Sequence, residues 1–394
     1  MPELERLAIL APFGIWPKRN AGAEVVYGPA ARLAAAGTEV DIFSLGLRRF
    51  ERHWPRPFSR ELAPRLREHR VLRLRLLLDR VLRGTARVPP LDLSRWLHGA
   101  PPSFQRRLRD AQLIQIESPW AIDYARSLNK PLAFVVHNHE CDLHQAALGS
   151  RGLLQRAQEL EARAWRESDV IFVAHEAERQ RFEESYGPTA GTQVVLPFGI
   201  DLATTQPANA EQRLQARARL GIPQGLTVGL FPGSAHAPNL SAAAFLREQA
   251  KQLAEAGVFV LIAGSVSPIE ERFEGGLATG PLEELSDGFA AADFGLHPIT
   301  EGSGMNLKLA QMLGHGLPVL ATPFGARGYQ ARSAEGLRLC ELGGFVAAAA
   351  EWAQDAALLI ELGRAARQHA ERQLDWNAIS ARRREALQSA LAGQ

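Results

Sequence analysis

The chain has 394 residues, 46% of them hydrophobic and 22% charged, and its formal net charge is only +2. This length predicts two or three domains, and the composition excludes a disordered chain. The two cysteines, Cys141 and Cys340, form no CxxC pair, so neither a disulfide scaffold nor a zinc site is expected, and a cytoplasmic location fits. The amino terminus lacks the positive charge of a signal peptide, and no apolar run approaches the ~18 residues that span a bilayer.

Strand and helix patterns alternate along the chain. In the first half, apolar runs predict strands at 5–12, 38–45, 111–118, 131–139, 169–175 and 192–201, with helices at 23–36 and 153–167. After a polar linker at 201–211, the pattern predicts strands at 226–234, 258–265, 276–282, 294–299 and 317–322, with helices at 240–256 and 282–292 and a helical tail over 343–391. Such alternation predicts an α/β fold with two doubly wound parallel sheets of Rossmann type.

Residues 48–109 interrupt this pattern with a strongly basic insertion of 17 arginines and five acidic residues. One interpretation is a solvated helical surface. The alternative is a basic face that meets an anionic acceptor or anionic lipid, with an interfacial helix at 71–83 and a peripheral place on the inner membrane face. Nucleic acid is not expected as a partner, because the segment has no recognisable reading motif.

The best candidate site for an anion is Gly302-Ser303-Gly304, which precedes a predicted helix with Lys308 in its first turns. Ligands of open α/β sheets bind beyond the carboxyl ends of the strands. A helix amino terminus offers N–H groups and a dipole to an anion, glycine allows close approach, and an ammonium adds charge. The alternative is a tight connector with a solvated lysine.

Several stretches occur here in the order found in a known enzyme family. They are FPGSAHAPN (231–239), VLIAGS (260–265) and the run from TGPLEEL to FGARG (279–328), preceded in the first half by ARLAAAGTEVDIFSL (31–45), LEARAWRESDVIFVAHEAER (160–179) and VVLPFGID (194–201). In this order the chain resembles family-4 glycosyltransferases with the GT-B fold, most of all the branch with a Gly-Ser-Gly loop. The stretch RQHAERQLDW (367–376) resembles the helix that leads back to the amino-terminal domain.

The resemblance implies two Rossmann-like domains that face a cleft. We expect an acceptor-binding domain at 1–200 that includes the insertion 48–109, a nucleotide-sugar domain at 201–374, and a returning helix at 375–394. Family members transfer a sugar with retention of configuration to a glycan or lipid-linked acceptor, without a cofactor and without a metal held by a DxD motif, and no Asp-x-Asp occurs in this chain. The leaving diphosphate must then be neutralised by protein groups.

Individual residues follow from the aligned motifs and from the predicted strand ends. We expect His137, Lys308 and Glu301 to be catalytic, with His137 facing the donor sugar unless it is merely a buried histidine. Donor-binding residues are expected at Gly22, Gly233, Ser234, Asn239, Thr279, Gly280, Gly302, Ser303, Gly304, Met305, Asn306 and Gln311. Acceptor-binding residues are expected at Lys18, Glu117, Trp120 and His139, where Trp120 either stacks on a sugar or packs in the core.

Two departures from the family pattern leave alternatives open. Gln311 stands where the family usually has a glutamate that binds the ribose hydroxyls, so that contact loses its charge-assisted strength. The turn at 233–239 carries no Arg or Lys, although Arg327 is a candidate second cation. A GT-B protein that binds a glycan or a partner without turnover is therefore a second hypothesis, and sugar-nucleotide epimerisation a third.

Overall fold

The computed structural model of the chain describes residues 2–18, 21–45, 56–71, 78, 90–144, 150–282, 285–302, 305–329 and 332–393. These residues divide into two compact units, the first formed by Met1–Pro197 with Trp376–Gln394 and the second by Phe198–Asp375. Ser303 and Gly304 of the predicted anion site, and nearly all of the predicted interfacial helix at 71–83, lie outside the described residues.

The described part of the first unit is built on one sheet of eight strands. They are β1 (Arg6–Ala11), β2 (Glu39–Ser44), β3 (Phe58–Ala63), β4 (Leu66–Arg70), β5 (Leu113–Ile116), β6 (Leu132–Val136), β7 (Val170–Val173) and β8 (Thr192–Val195). Their order is β3-β4-β2-β1-β5-β6-β7-β8, and neighbouring strands are parallel except for β3 and β4. Strands β5, β6 and β7 are buried throughout and apolar except for Gln115 of β5, as expected when helices cover both faces of a parallel sheet.

Helices of the first unit follow most of these strands. They are α1 (Ala21–Ala35), α2 (Leu93–His98), α3 (Pro102–Asp110), α4 (Ile122–Ser127), α5 (Glu140–Leu143), α6 (Arg151–Glu167) and α7 (Glu176–Tyr186). Helix α6 begins where Ser150 Oγ accepts a hydrogen bond from Leu153 N–H at 3.3 Å, which satisfies one of the amides that a helix start leaves open.

In the described part of the basic insertion, residues 58–63 and 66–70 form β3 and β4, which extend the edge of the sheet, and α2 and α3 lie near its end. The interpretation as a helical surface is therefore wrong for β3 and β4. Glu68 and Arg70 of β4 are buried although both are charged. These strands were missed because FSRELA and LREHR contain few of the β-branched residues that indicate strands.

The second unit has its own sheet, with seven strands among the described residues. They are β9 (Thr227–Pro232), β10 (Val258–Ala263), β11 (Glu270–Phe273), β12 (Gly276–Thr279), β13 (Phe294–His297), β14 (Val319–Ala321) and β15 (Leu337–Leu339). The order is β11-β12-β10-β9-β13-β14-β15, parallel except for the pair β11 and β12. The predicted α/β class with two Rossmann-like sheets is therefore confirmed, while the short edge strands β11 and β15 were not predicted.

Helices of the second unit are α8 (Ala210–Arg219), α9 (Ala237–Glu255), α10 (Ser286–Ala291), α11 (Leu307–Gly314), α12 (Phe345–Ala353) and α13 (Ala356–Gln373). Helix α8 begins inside the predicted linker, at a capping box in which Asn209 and Gln212 exchange hydrogen bonds of 2.9 Å. The chain then returns to the first unit as α14 (Trp376–Ala392). Trp376 packs against α1 at Gly28, where a Cβ would lie 2.5 Å from the indole ring, so this contact requires glycine.

Candidate active site

Three turns of the second unit meet beyond the carboxyl ends of β9, β10 and β12. Gly233 N–H donates to Ala263 O at 2.8 Å, and Gly233 O accepts from Val266 N–H at 3.0 Å. Thr279 Oγ1 accepts from Gly264 N–H at 3.1 Å. Gly264 has a φ of +103°, and a Cβ there would lie 2.6 Å from Gly233 O. The turns therefore support one another at the edge where α/β sheets bind their ligands.

Lys308 connects this edge to the helix after β13. Its Nζ donates to Asn239 Oδ1 and lies 5.2 Å from the centre of the Phe231 ring. Asn239 in turn donates from Nδ2 to Ser234 O at 2.9 Å. The ammonium is thus held by a neutral amide, with no carboxylate paired to it among the described residues. Burial lowers the pKa of Lys308 to about 8, because desolvation disfavours the charged form.

The start of α11 is anchored by backbone and side-chain contacts. Asn306 donates from Nδ2 to Gly325 O at 3.2 Å, and its carbonyl accepts from Tyr329 OH at 2.7 Å. Within the part of the chain that the structure describes, Asn306 makes no side-chain capping bond to α11, so the first amides of this helix are not neutralised by a cap. Met305 is buried, and its sulfur accepts from Phe198 N–H at 3.4 Å, which makes it a packing residue.

The other residues of this unit that were predicted to bind the donor, and Glu301, which was predicted to be catalytic, differ in exposure. Gly302 is exposed with a φ of +118°, and Gly280 has a φ of +68°, so both adopt a conformation that favours glycine. Glu301 is exposed, and its Oε1 accepts from Ser241 Oγ at 2.8 Å. Gln311 is half-buried on α11, and its side-chain amide forms no hydrogen bond to another described residue. Gln311 is therefore available to a ligand.

The histidine at the end of β13 was missed in the sequence. His297 is fully buried, and desolvation together with the charges of Lys308 and Arg327 lowers its pKa well below the usual value. Its ring is therefore neutral at neutral pH and adds no second charge near Lys308. The available signal was a polar residue that ends an otherwise apolar strand. Arg327 itself lies over the Phe324 ring, 4.0 Å from its centre.

In the first unit, His137 is paired with a buried carboxylate. Its Nε2 lies 2.7 Å from Glu117 Oε2. Glu117 is only 2% exposed and also accepts from Gln115 Nε2. Burial lowers the pKa of Arg383 on α14, and the nearby charge of Glu117 opposes that change. Glu117 therefore orients His137, which corrects the expectation that Glu117 contacts an acceptor directly.

Trp120 is a core residue, which corrects its predicted role in stacking on an acceptor sugar. Its ring is 1% exposed and belongs to the main apolar cluster of the first unit. The backbone around it is fixed as well, because Trp120 O accepts from Ser94 Oγ at 3.2 Å. Of the two interpretations of this tryptophan, the structure supports packing.

His139 packs between helices rather than projecting from its turn. Its ring stacks on Tyr186 with 5.4 Å between centres and 4° between planes, and its Nε2 lies 3.2 Å from Ser185 Oγ. The adjacent Glu161 is buried, accepts from Tyr186 OH at 2.7 Å, and has a pKa raised by desolvation. These contacts give His139 a structural role, and acceptor binding by it stays a prediction.

Two further predicted residues lie at the start of α1. Lys18 Nζ lies 3.0 Å from Glu24 Oε2 and 4.8 Å from the centre of the Tyr27 ring. Gly22 is the second residue of α1.

For metals, the described residues contain no group of three or more His, Cys, Asp or Glu side chains arranged to hold an ion.

Two doubly wound α/β sheets, the second with turns that meet beyond its strand ends, define the fold class, and comparison with known proteins specifies the family. Residues 22–204 match the model of Glycosyltransferase Family 4, and residues 227–361 match Glycosyl transferases group 1. Together these matches cover most of both units. The chain therefore belongs to the family-4 glycosyltransferases, as its motif order predicted.

Individual relatives agree with this assignment. A D-inositol 3-phosphate glycosyltransferase of Kineococcus radiotolerans is 38% identical over 100 residues, which are 24% of this chain and 22% of that protein. The match thus spans about a fifth of the relative's length.

Among solved structures, sucrose-phosphate synthase from Thermosynechococcus elongatus has a TM-score of 0.75 at 16% identity and covers 99% of this chain and 100% of its own. Anabaena HepE in complex with UDP-glucose has a TM-score of 0.65 at 14% identity, and the match covers 97% of this chain and 99% of HepE. WaaG, a glycosyltransferase involved in lipopolysaccharide biosynthesis, has a TM-score of 0.66 at 16% identity, and the match covers 96% of this chain and 98% of WaaG. These likenesses support the GT-B fold class.

Proposed function

We propose that this chain transfers a sugar from a nucleotide-diphosphate sugar to a glycan or lipid-linked acceptor, with retention of configuration and without a divalent metal. The observation that carries the proposal is Lys308, whose ammonium is held by neutral Asn239 beside the uncapped start of α11. A cation with no carboxylate partner can attract a diphosphate strongly. Binding of UDP and UDP-glucose by HepE supports a nucleotide-sugar donor.

The proposed chemistry needs charge stabilisation rather than a protein nucleophile. As the bond between the anomeric carbon and the diphosphate oxygen breaks, negative charge grows on the diphosphate. A new bond forms between the anomeric carbon and the acceptor hydroxyl oxygen, and the hydroxyl proton passes to the leaving diphosphate. Lys308 and the amides of α11 stabilise that charge with groups already in place. The donor site is lined by Gly233, Ser234, Thr279 and Gly280. His137 of the first unit, oriented by Glu117, keeps its predicted catalytic role as part of this proposal.

Donor hydrolysis without added acceptor is the direct test. The intact chain is incubated with UDP-, GDP- and ADP-sugars, and the release of nucleoside diphosphate is followed with and without EDTA. We expect release from at least one donor at the same rate in both conditions. No release and no calorimetric binding at millimolar nucleotide would overturn the proposal, and loss of turnover in EDTA would overturn its metal-independent form.

The reaction should also depend on pH through Lys308. Its pKa of about 8 lies below the usual value for lysine, so the ammonium is present below pH 8 and is lost as the pH rises. We therefore expect kcat/KM for donor hydrolysis to fall about tenfold per pH unit above pH 8, because this parameter reports the free enzyme. In Lys308→Arg the cation does not titrate, so this fall should disappear. The same alkaline fall in both proteins would contradict the assignment.

The glutamine on α11 offers a second test. We expect Gln311→Glu to bind UDP or GDP about fivefold more tightly in calorimetry, because a carboxylate accepts stronger hydrogen bonds from ribose hydroxyls than an amide does. Gln252→Glu, at an exposed position of α9 in the same unit, controls for the added negative charge. Equal affinities for all three proteins would remove Gln311 from the ribose site.

A non-catalytic GT-B binding protein is the second candidate. It is favoured by Gln311 and by the turn at 233–239, which carries neither Arg nor Lys. Nucleotide binding in calorimetry without hydrolysis or transfer from any donor would support this alternative.

The predicted contact of the basic insertion with anionic membranes also stays a proposal, and vesicle flotation at low and high salt tests it. Among the described residues, no helix is long and apolar enough to cross a membrane.

A further inference from the structure

One tryptophan of the first unit is displayed on the surface, unlike the others in the described residues. Trp16 is 37% exposed, whereas Trp96, Trp120, Trp165 and Trp376 of the same unit are at most 1% exposed. Trp16 follows β1, at the edge of the sheet where ligands of α/β proteins bind. An exposed indole lacks the burial that stabilises the other tryptophans, so its exposure points to a role in binding rather than in folding.

The surroundings of Trp16 form an aromatic platform with polar groups at its rim. The Tyr27 ring lies 5.6 Å from the Trp16 ring, tilted by 44°. Lys18 Nζ lies 4.8 Å from the centre of the Tyr27 ring and 3.0 Å from Glu24 Oε2. A pyranose has an apolar C–H face and a rim of hydroxyls. The aromatic rings can stack on the C–H face, and the ammonium and carboxylate can form hydrogen bonds with the hydroxyls.

A buried ion-pair cluster fixes the backbone that carries Trp16. Glu68, which is fully buried on β4, accepts from Ile15 N–H at 2.7 Å and lies 2.9 Å from Arg70 Nε. Arg70 donates from Nη2 to Trp16 O at 2.7 Å. Gly14 belongs to the same arrangement, because a Cβ there would lie 1.9 Å from the Arg70 guanidinium. The amides on both sides of the Ile15–Trp16 peptide are thus held by one strand of the basic insertion.

We propose that Trp16, with Tyr27, is the stacking surface for a pyranose ring of the acceptor, and that Glu68 and Arg70 are positioning residues that hold it. The inference rests on the proposed function and specifies its acceptor as a saccharide with an accessible ring face. It also gives part of the basic insertion a role in the acceptor site. Glu68 and Arg70 of β4 are buried and contact the loop after β1, whereas Arg67 of the same strand is partly exposed and pairs with Glu39.

The test separates acceptor binding from donor chemistry. Transfer from UDP-glucose to p-nitrophenyl pyranosides is measured beside donor hydrolysis, for the wild type, Trp16→Ala and Trp16→Phe. We expect Trp16→Ala to raise the acceptor KM about tenfold with unchanged donor hydrolysis, and Trp16→Phe to restore most of the affinity. Leu214→Ala, a truncation at an exposed position of α8 in the other unit, should change neither value.

A double-mutant cycle distinguishes positioning by Glu68 from general stability. Glu68→Gln alone should raise the acceptor KM, and Glu68→Gln with Trp16→Ala should be no worse than Trp16→Ala alone, because the two residues act through the same contact. Additive effects would assign Glu68 a structural role only and overturn its part in the proposal. Because Trp16→Ala alters only an exposed side chain, this variant keeps the stacking claim testable even if Glu68→Gln fails to fold.

An unchanged acceptor KM in Trp16→Ala would overturn the stacking surface itself. If this variant also lost flotation with phosphatidylglycerol vesicles, Trp16 would be a membrane contact instead. If the wild type hydrolyses no donor, saturation-transfer NMR with the same pyranosides still tests the platform. Signal that disappears in Trp16→Ala supports it, and signal that persists or is absent from the wild type rejects it, independently of the proposed function.

Discussion

Replacing Lys308 with alanine should lower kcat for donor hydrolysis by about 100- to 1,000-fold, with folding unaffected. The expected size is that of losing one preorganised charge-stabilising group from an active site. The ammonium contributes little to folding, because its partner Asn239 is neutral and burial opposes its charge. Burying the Lys308 ammonium therefore costs free energy in the unliganded protein, and binding of an anionic ligand can offset that cost.

The control for this prediction is Lys251→Ala, on the exposed face of α9 in the same unit. Its side chain is 64% exposed, and its Nζ lies 3.6 Å from Glu274 Oε1. Removing it should leave kcat within about twofold, since exposed ion pairs contribute little. Thermal unfolding of both variants shows whether a loss of activity reflects a loss of structure. Equal kcat values for Lys308→Ala and the wild type would remove Lys308 from the reaction.

For the second unit, the sequence predicts the elements of the candidate donor site better than the contacts between them. The Gly-rich loop, the helix after it and Lys308 are local signals, because their meaning depends on neighbours in the chain. The contact between Lys308 and Asn239 joins residues 69 positions apart, and no local pattern indicates it. The burial of His297, which decides that its ring is neutral, likewise depends on packing from several elements.

The first unit shows where sequence reasoning fails and why. Trp120 follows a strand, as a ligand-stacking residue would, but the packing of α2 and α4 encloses it. The exposed tryptophan is Trp16, and no pattern within residues 11–18 distinguishes one case from the other. Strands β3 and β4 were missed because charged residues on them are compensated by partners on neighbouring strands, Arg60 by Glu68 and Arg67 by Glu39. Only the folded sheet brings these partners together.

Replacing Glu68 with alanine should lower the free energy of unfolding of the first unit by about 3–5 kcal/mol. Its carboxylate lies 3.2 Å from Arg60 Nε and 2.9 Å from Arg70 Nε, and it also accepts from Ser44 Oγ at 2.7 Å. Arg70 is 4% exposed, so its charge would remain in the interior without this carboxylate. Removing one partner of a buried ion pair is costly for that reason.

Urea unfolding followed by tryptophan fluorescence measures this change, because Trp96, Trp120, Trp165 and Trp376 all report on the first unit. Glu61→Ala is the matched control, since Glu61 is an exposed glutamate on the adjacent strand β3, and its truncation should cost no more than about 0.5 kcal/mol. If both variants unfold at the same urea concentration, the cluster around Glu68 does not stabilise the unit. The loop that carries Trp16 would then lack the rigid support on which its proposed role in acceptor binding depends.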